Sequence, residues 1–223
     1  MGEWITLDTA RGPVAAWKAM PAGAPRAGLV VIQEIFGVNP HIRDVADRYA
    51  AQGYAVLAPA FFDPIEKNVE LAYDPAGFAR GRELVTKLGL DAAVDIVQAA
   101  ARRLQADTGV ARVGSVGYCW GGTVAMLAAQ RLGLPSASYY GARNVPFLDT
   151  PFKAPVIFHF GERDTSIPPE MVQQHRDKLP QMAVYTYPAG HAFNRDVDPK
   201  AYDAASAELA LKRTLDFFAR ELA

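Results

Sequence analysis

Continuous apolar runs alternate along the chain with stretches whose apolar residues recur every third or fourth position. "AGLVVIQ", "YAVLAPAFF", "ARVGSVGY", "SASYYG" and "APVIFHFG" are runs of the first kind, as expected for strands covered on both faces. "AVYTYP" adds a last strand. "HIRDVADRYAAQG", "GGTVAMLAAQRLG", "PPEMVQQHRDKL" and "AYDAASAELALKRTLDFFAREL" carry a helical period, and Gly53 is a natural stop for the first of them. A longer helix is expected over roughly residues 77–106, with a break near Gly89. Ahead of these, "EWITLD" and "PVAAWKAM" flank the turn-like "TARG" and predict a hairpin. The whole alternation predicts one α/β domain over residues 1–223, a mostly parallel central sheet with helices on both faces. Sheets of this kind place ligands outside the carboxyl ends of their strands.

Composition narrows the function classes. With 23 basic and 24 acidic residues, and no dense basic run, the chain lacks the electrostatic footprint for nucleic acid or an anionic membrane. No apolar run approaches the length of a membrane span. A single cysteine excludes an internal disulfide, and the first residues lack the basic start and apolar stretch of a signal peptide, so a cytoplasmic protein is expected. His and Cys do not pair at metal-ligand spacing, so neither metal nor cofactor is expected. The expected partner is a small molecule, bound by a monomer or small homo-oligomer.

The one cysteine sits in "GYCWGG", where a predicted strand runs straight into a predicted helix. Gly117-Tyr118-Cys119-Trp120-Gly121 is a G-x-S-x-G nucleophile elbow with sulfur in place of oxygen. Such a reversal leaves little room for Cβ atoms beside the nucleophile, and the helix N-terminus favours a thiolate. The same residues also fit a small buried thiol at a turn packed with glycine. Asp164 in "HFGERDTSIP" and His191 in "YPAGHAFNR" each follow a strand, so the chain order is nucleophile, acid, histidine. A thiol within reach of an imidazole can ionise, and a carboxylate on the other ring nitrogen holds the tautomer, which is the chemistry of nucleophilic acyl transfer. Among the other histidines, His159 lies inside an apolar strand and reads as a satisfied core residue, whereas His41 and His175 read as surface or capping groups.

From "GLVVIQEIFGVN" through "GYCWGG", "SYYG", "HFGERD" and "GHAFNR" to "RTLDFFA", the chain resembles the dienelactone hydrolases of the α/β-hydrolase superfamily. The resemblance implies an α/β-hydrolase fold and a Cys119-His191-Asp164 triad. It also implies Glu34 as the carboxylate that takes the thiol proton once substrate displaces its arginine. Arg195 then binds a substrate carboxylate, and the N–H groups of Ile35 and Trp120 form the oxyanion hole. A second substrate arginine falls near "AGFARGREL", where Arg80 is favoured over Arg82. Phe36, Tyr139 and Tyr140 are aromatic candidates for lining the pocket, each equally suited to core packing. Glu34 ends an apolar strand and needs a cation if it is buried, for which Arg195 is the candidate; the alternative is a strand-end carboxylate facing solvent. Trp120 and Ser166 depart from the family, which has Leu after the cysteine and an aromatic two residues after the acid. The reading is a hydrolase of the carboxymethylenebutenolidase type, opening a small anionic lactone or ester through a cysteine acyl-enzyme. A general carboxylesterase or thioesterase, or a ligand-binding or thiol-sensing module, are its alternatives.

Overall fold

The computed structural model describes residues 2–223. The N-terminal hairpin is present: β1 (Glu3–Thr9) runs antiparallel to β2 (Gly12–Ala19), with Trp4 opposite Trp17. The apolar runs form β3 (Ala27–Ile32), β4 (Tyr54–Pro59), β5 (Val113–Tyr118), β6 (Ser136–Tyr139) and β7 (Val156–Gly161), and every residue of the five is buried. β8 (Val184–Tyr187) is only partly covered, as befits the end of the sheet. Strand order is β1-β2-β4-β3-β5-β6-β7-β8. The β1/β2 and β2/β4 pairs are antiparallel, and the β3/β4, β6/β7 and β7/β8 pairs are parallel.

Local chemistry sets the helix ends. Helix α1 (Pro40–Ala51) starts where the Asn39 side chain accepts the Ile42 N–H at 3.2 Å. Helix α2 (Pro75–Thr108) starts where Asp74 accepts the Gly77 N–H at 2.7 Å, and it breaks at Gly89, whose φ of 74° and ψ of 161° are not helical. Helices α3 (Trp120–Leu132), α4 (Pro169–Lys178) and α5 (Ala204–Glu221) follow, the last capped by Asp203, which accepts the Ser206 N–H at 2.9 Å. A 3₁₀ turn at Val145–Phe147 has no counterpart in the sequence reading.

The chain groups into two compact units, the first running to Ser115 and including Leu222–Ala223, the second Val116–Glu221. In the first, α1 packs on β2, β3 and β4, and α2 on β1, β3 and β4. In the second, α3 packs on β6, α4 on β8 and α5 on β7. Among the described residues no helix is long and apolar enough to cross a membrane.

Two histidines depart from expectation. His175 is not a surface group: it is fully buried, its ring set edge-on to Phe158 and Phe160. Helix α4 is polar in composition, but Val172 and His175, three apart, share its inner face. Burial pushes the His175 pKa down, and the Met171 carbonyl 2.7 Å from Nδ1 opposes that shift. His41 is likewise buried, and the cap is the neighbouring Asn39.

Candidate active site

Cys119 stands between β5 and α3 with φ 55° and ψ −119°, a conformation that side-chain-bearing residues seldom adopt. Two backbone hydrogen bonds hold it there. Its N–H donates to the Tyr139 carbonyl at 3.0 Å, and its own carbonyl accepts the Gly122 N–H at 2.9 Å. The glycines are sterically required, since a Cβ on Gly117 would lie 1.9 Å from the Gly121 carbonyl oxygen and one on Gly122 2.6 Å from that of Tyr139. The thiol is therefore displayed on a tight turn and remains partly exposed.

The loops after β7 and β8 are sewn together by backbone. The Glu162 N–H donates to the Tyr187 carbonyl at 2.8 Å and the Arg163 N–H to that of Ala189 at 2.9 Å. Gly161 permits this approach, because a Cβ there would meet the Ala189 and Gly190 carbonyls at 2.5 Å. As a result Asp164, whose side chain has no accessible surface, reaches His191 across 27 residues of sequence. His191 Nδ1 donates to Asp164 Oδ2 at 2.7 Å, and Asp164 Oδ1 accepts the Ser166 N–H at 2.8 Å. Burial alone would push the His191 pKa down. Hydrogen bonds to Asp164 and to Cys119, with the negative charge of both groups, win instead and push it up to about 10.

Backbone strain collects at this site. Four described non-glycine residues have positive φ: Cys119, Tyr140 at 40°, Ala192 at 61°, and the distant Asn68. Three of them thus carry, follow or adjoin the groups just described, which is where strain is retained when surrounding structure over-determines the backbone.

The remaining predicted residues fall into different settings. Glu34 is 1% exposed, which overturns the solvent-facing alternative, and its backbone carbonyl accepts from Gln33 Nε2 at 3.2 Å. Ile35 and Phe36 are buried beside it, and the Phe36 ring packs edge-on against Tyr73 with centroids 4.7 Å apart. Trp120, also buried, is the first residue of α3, where N–H groups lie beyond the reach of helix carbonyls. Arg195 is buried in the loop after His191 and forms an ion pair with Asp198 at 3.2 Å, a partner the sequence did not suggest. Arg80 pairs at the surface with Glu66 and, at 2.6 Å, with Glu83, so its guanidinium already serves two carboxylates. Arg82 is exposed and lies over the Phe78 ring.

Tyr139 is corrected from pocket candidate to core residue: it has no accessible surface, and its hydroxyl is 2.7 Å from Thr214 Oγ1. What it contributes to the turn at Cys119 is a carbonyl, which no side-chain pattern announces. His159 is the core histidine it was read to be. Its Nδ1 meets the Tyr187 hydroxyl at 2.7 Å and its Nε2 meets Thr214 at 3.0 Å, while burial, with Arg213 nearby, pushes its pKa down to about 3. The sequence reading also missed the Ser166 N–H as a support for Asp164, although D-x-S is a common pattern for an Asx turn. Among the described residues no group of three or more His, Cys, Asp or Glu is placed to hold a metal.

Comparison with known proteins shows the family. The profile of the dienelactone hydrolase family matches residues 14–222. A Synechocystis protein described provisionally as a carboxymethylenebutenolidase is 31% identical over 240 residues, spanning 98% of this chain and 96% of its own. Carboxymethylenebutenolidase 1 of Cupriavidus pinatubonensis is 30% identical over 219 residues, 93% of this chain and 92% of its own. The crystal structure of a protein from Klebsiella pneumoniae subsp. pneumoniae, described provisionally as a dienelactone hydrolase, matches with a TM-score of 0.88. It covers 99% of this chain and 98% of that one, at 29% identity.

Proposed function

The chain belongs to the dienelactone hydrolase family and has its α/β-hydrolase fold, and from that premise we propose that it opens a small carboxylated lactone or ester through an acyl-enzyme on Cys119. The family makes it a carboxylic ester hydrolase. The observation that carries the finer reading is the 2.7 Å hydrogen bond from His191 to the buried Asp164, on a histidine that also bonds Cys119.

The Cys119 thiolate attacks the ester carbonyl carbon and forms a C–S bond. The developing oxyanion is met by the Trp120 N–H at the start of α3. As the C–O bond breaks, the His191 imidazolium gives its proton to the departing alkoxide, which in a lactone stays attached to the acyl group. His191, now neutral, takes a proton from water; the resulting hydroxide attacks the thioester, and the C–S bond breaks to release a carboxylic acid and the thiolate. Asp164 keeps the imidazole in the tautomer that presents Nε2 to these atoms. By family resemblance Glu34 takes part in arming the thiol, Ile35 supplies a second oxyanion N–H, and Phe36 and Arg80 belong to substrate binding. Arg195 holds the substrate carboxylate in place of Asp198.

That last exchange favours a second reading. Because Arg195 already has an anionic partner within its own loop, the enzyme could act on neutral esters and keep this ion pair intact. Steady-state kinetics of Arg195→Lys on a carboxylated lactone and on a neutral aryl ester separate the two. Lysine keeps the charge and loses the two-pronged fork. Under the proposed function kcat/KM falls by about 1.5–3 kcal/mol on the carboxylated lactone and much less on the aryl ester. Equal losses on both substrates would mean that Arg195 supports the loop or Glu34 and does not read the substrate's charge, which favours the general carboxylesterase.

A further inference from the structure

We propose that Tyr140 is a positioning residue for His191, its buried ring backing the imidazole and fixing the plane in which it faces Asp164 and Cys119. The inference rests on the Cys119-His191-Asp164 reading above and adds to it what keeps the base in place. A histidine in a loop, tied by hydrogen bonds to Asp164 and to Cys119, can still rock about the line that joins them. Something must support its face.

The Tyr140 ring supplies that support. Its centroid lies 5.0 Å from that of His191, with the planes at 57°. The ring has no accessible surface, and Phe193 closes it from another side, edge-on at 5.5 Å. The backbone beneath is equally constrained, for the Tyr140 N–H donates to the His159 carbonyl at 2.8 Å while φ is held at 40°. An aromatic residue keeps such a φ only where its surroundings impose it. The preceding residue, Tyr139, accepts the Cys119 N–H through its carbonyl. One dipeptide at the carboxyl end of β6 therefore braces the nucleophile by its backbone and the base by its ring.

The ring also has an electrostatic effect. The titratable groups bonded to His191 are Asp164, from the loop after β7, and Cys119, from the turn after β5. Both favour the imidazolium, and a ring that holds the imidazole against them preserves that preference.

The test uses the full-length protein with Tyr140→Leu, Tyr140→Phe and, as a control for lost aromatic packing elsewhere in the core, Phe158→Leu. Aryl-ester kcat and KM are measured together with the His191 titration by NMR on imidazole-labelled protein. Tyr140→Leu is expected to lower kcat by about tenfold with little change in KM and to move the His191 midpoint down. Tyr140→Phe, which keeps the ring, should restore both to near the native values, while Phe158→Leu should lower Tm and leave both alone. Native kcat and titration in Tyr140→Leu would overturn the proposal. So would failure of Tyr140→Phe to rescue, or a Phe158→Leu variant that reproduces the Tyr140→Leu changes. Should Tyr140→Leu not fold, ring-to-ring cross-relaxation between Tyr140 and His191 in the native protein decides: its presence supports the contact, and its absence ends the proposal. Cys119→Ala tests the underlying reading separately, since persistent hydrolysis there removes the mechanism while the Tyr140 variants are still compared in a background that keeps the thiol.

Discussion

His159 and His191 stand on or just after adjacent parallel strands of the same unit, yet their environments drive their proton affinities in opposite directions. Inside β7, His159 is enclosed by two hydroxyl groups and the Tyr139 ring, with Arg213 the nearby charge. Burial disfavours the charged form, and nothing negative compensates, so the ring stays neutral. In the loop after β8, His191 also loses water but gains a carboxylate and a thiol as partners, and its pKa is pushed up to about 10. Desolvation is common to both; the sign of the neighbouring charge decides. A strand interior makes a histidine a hydrogen-bonding spacer, while two loops converging beyond the sheet set it against a carboxylate and a thiol.

The largest effect that could break this contrast comes from exchanging each histidine for glutamine. His191→Gln should abolish measurable ester turnover, whereas His159→Gln should hold kcat within about twofold and cost roughly 1–3 kcal/mol of stability through the disturbed hydroxyl network. Ester assays and urea melts of the two variants suffice, and a collapse of turnover without a change in melting at His159 would reverse the roles. Cys119→Ala should be as inactive as His191→Gln while remaining folded. Removing the thiol should also lower the His191 pKa, a change that NMR titration of the variant would read directly.

Next in size is Asp164→Asn. The amide cannot supply the charge that supports the imidazolium and presents the wrong hydrogen-bond pattern to Nδ1, so turnover should fall by about three to four orders of magnitude in a folded protein. A loss of less than tenfold would mean that the 2.7 Å bond does not support the base.

The smallest expected effect is on stability as a function of pH. For His159 the folded pKa, about 3, lies below the usual 6.5, so the unfolded chain binds more protons between those values and stability drops as pH falls through that window. For His191 the folded pKa, about 10, lies above 6.5, so the folded protein binds more protons and stability drops as pH rises from 6.5 towards 10. Urea midpoints across pH should therefore show a shallower acid limb in His159→Gln and a shallower alkaline limb in His191→Gln. Unchanged limbs in both variants would show that neither ring is perturbed as described.

Much of this was legible before any coordinates. The turn at Cys119 could be found because its requirements are local: strand, three glycines and helix N-terminus lie within a few residues, and the steric demand on Gly117 comes from the Gly121 carbonyl, four positions away. The break at Gly89 and the hairpin around "TARG" were readable for the same reason. The surface reading of His175 failed because composition describes a whole helix while burial concerns one face of it. Tyr139 could not be separated from a pocket residue by pattern, since an apolar strand end and a pocket wall use the same amino acids.

The sequence by itself determined the order of strands and helices, the place of Cys119 at the end of a strand, and the order in which acid and histidine follow it. These depend on backbone periodicity and on the reach of near neighbours. Only the tertiary structure decided in which direction each histidine's pKa is pushed, which arginines are already committed, and which aromatic ring lies against His191. Charge state and contact are set by groups far apart in sequence, as in the 27 residues between Asp164 and His191 or the 55 between His159 and Thr214. Electrostatic and packing energies depend on distance in space, and folding is what makes those distances short.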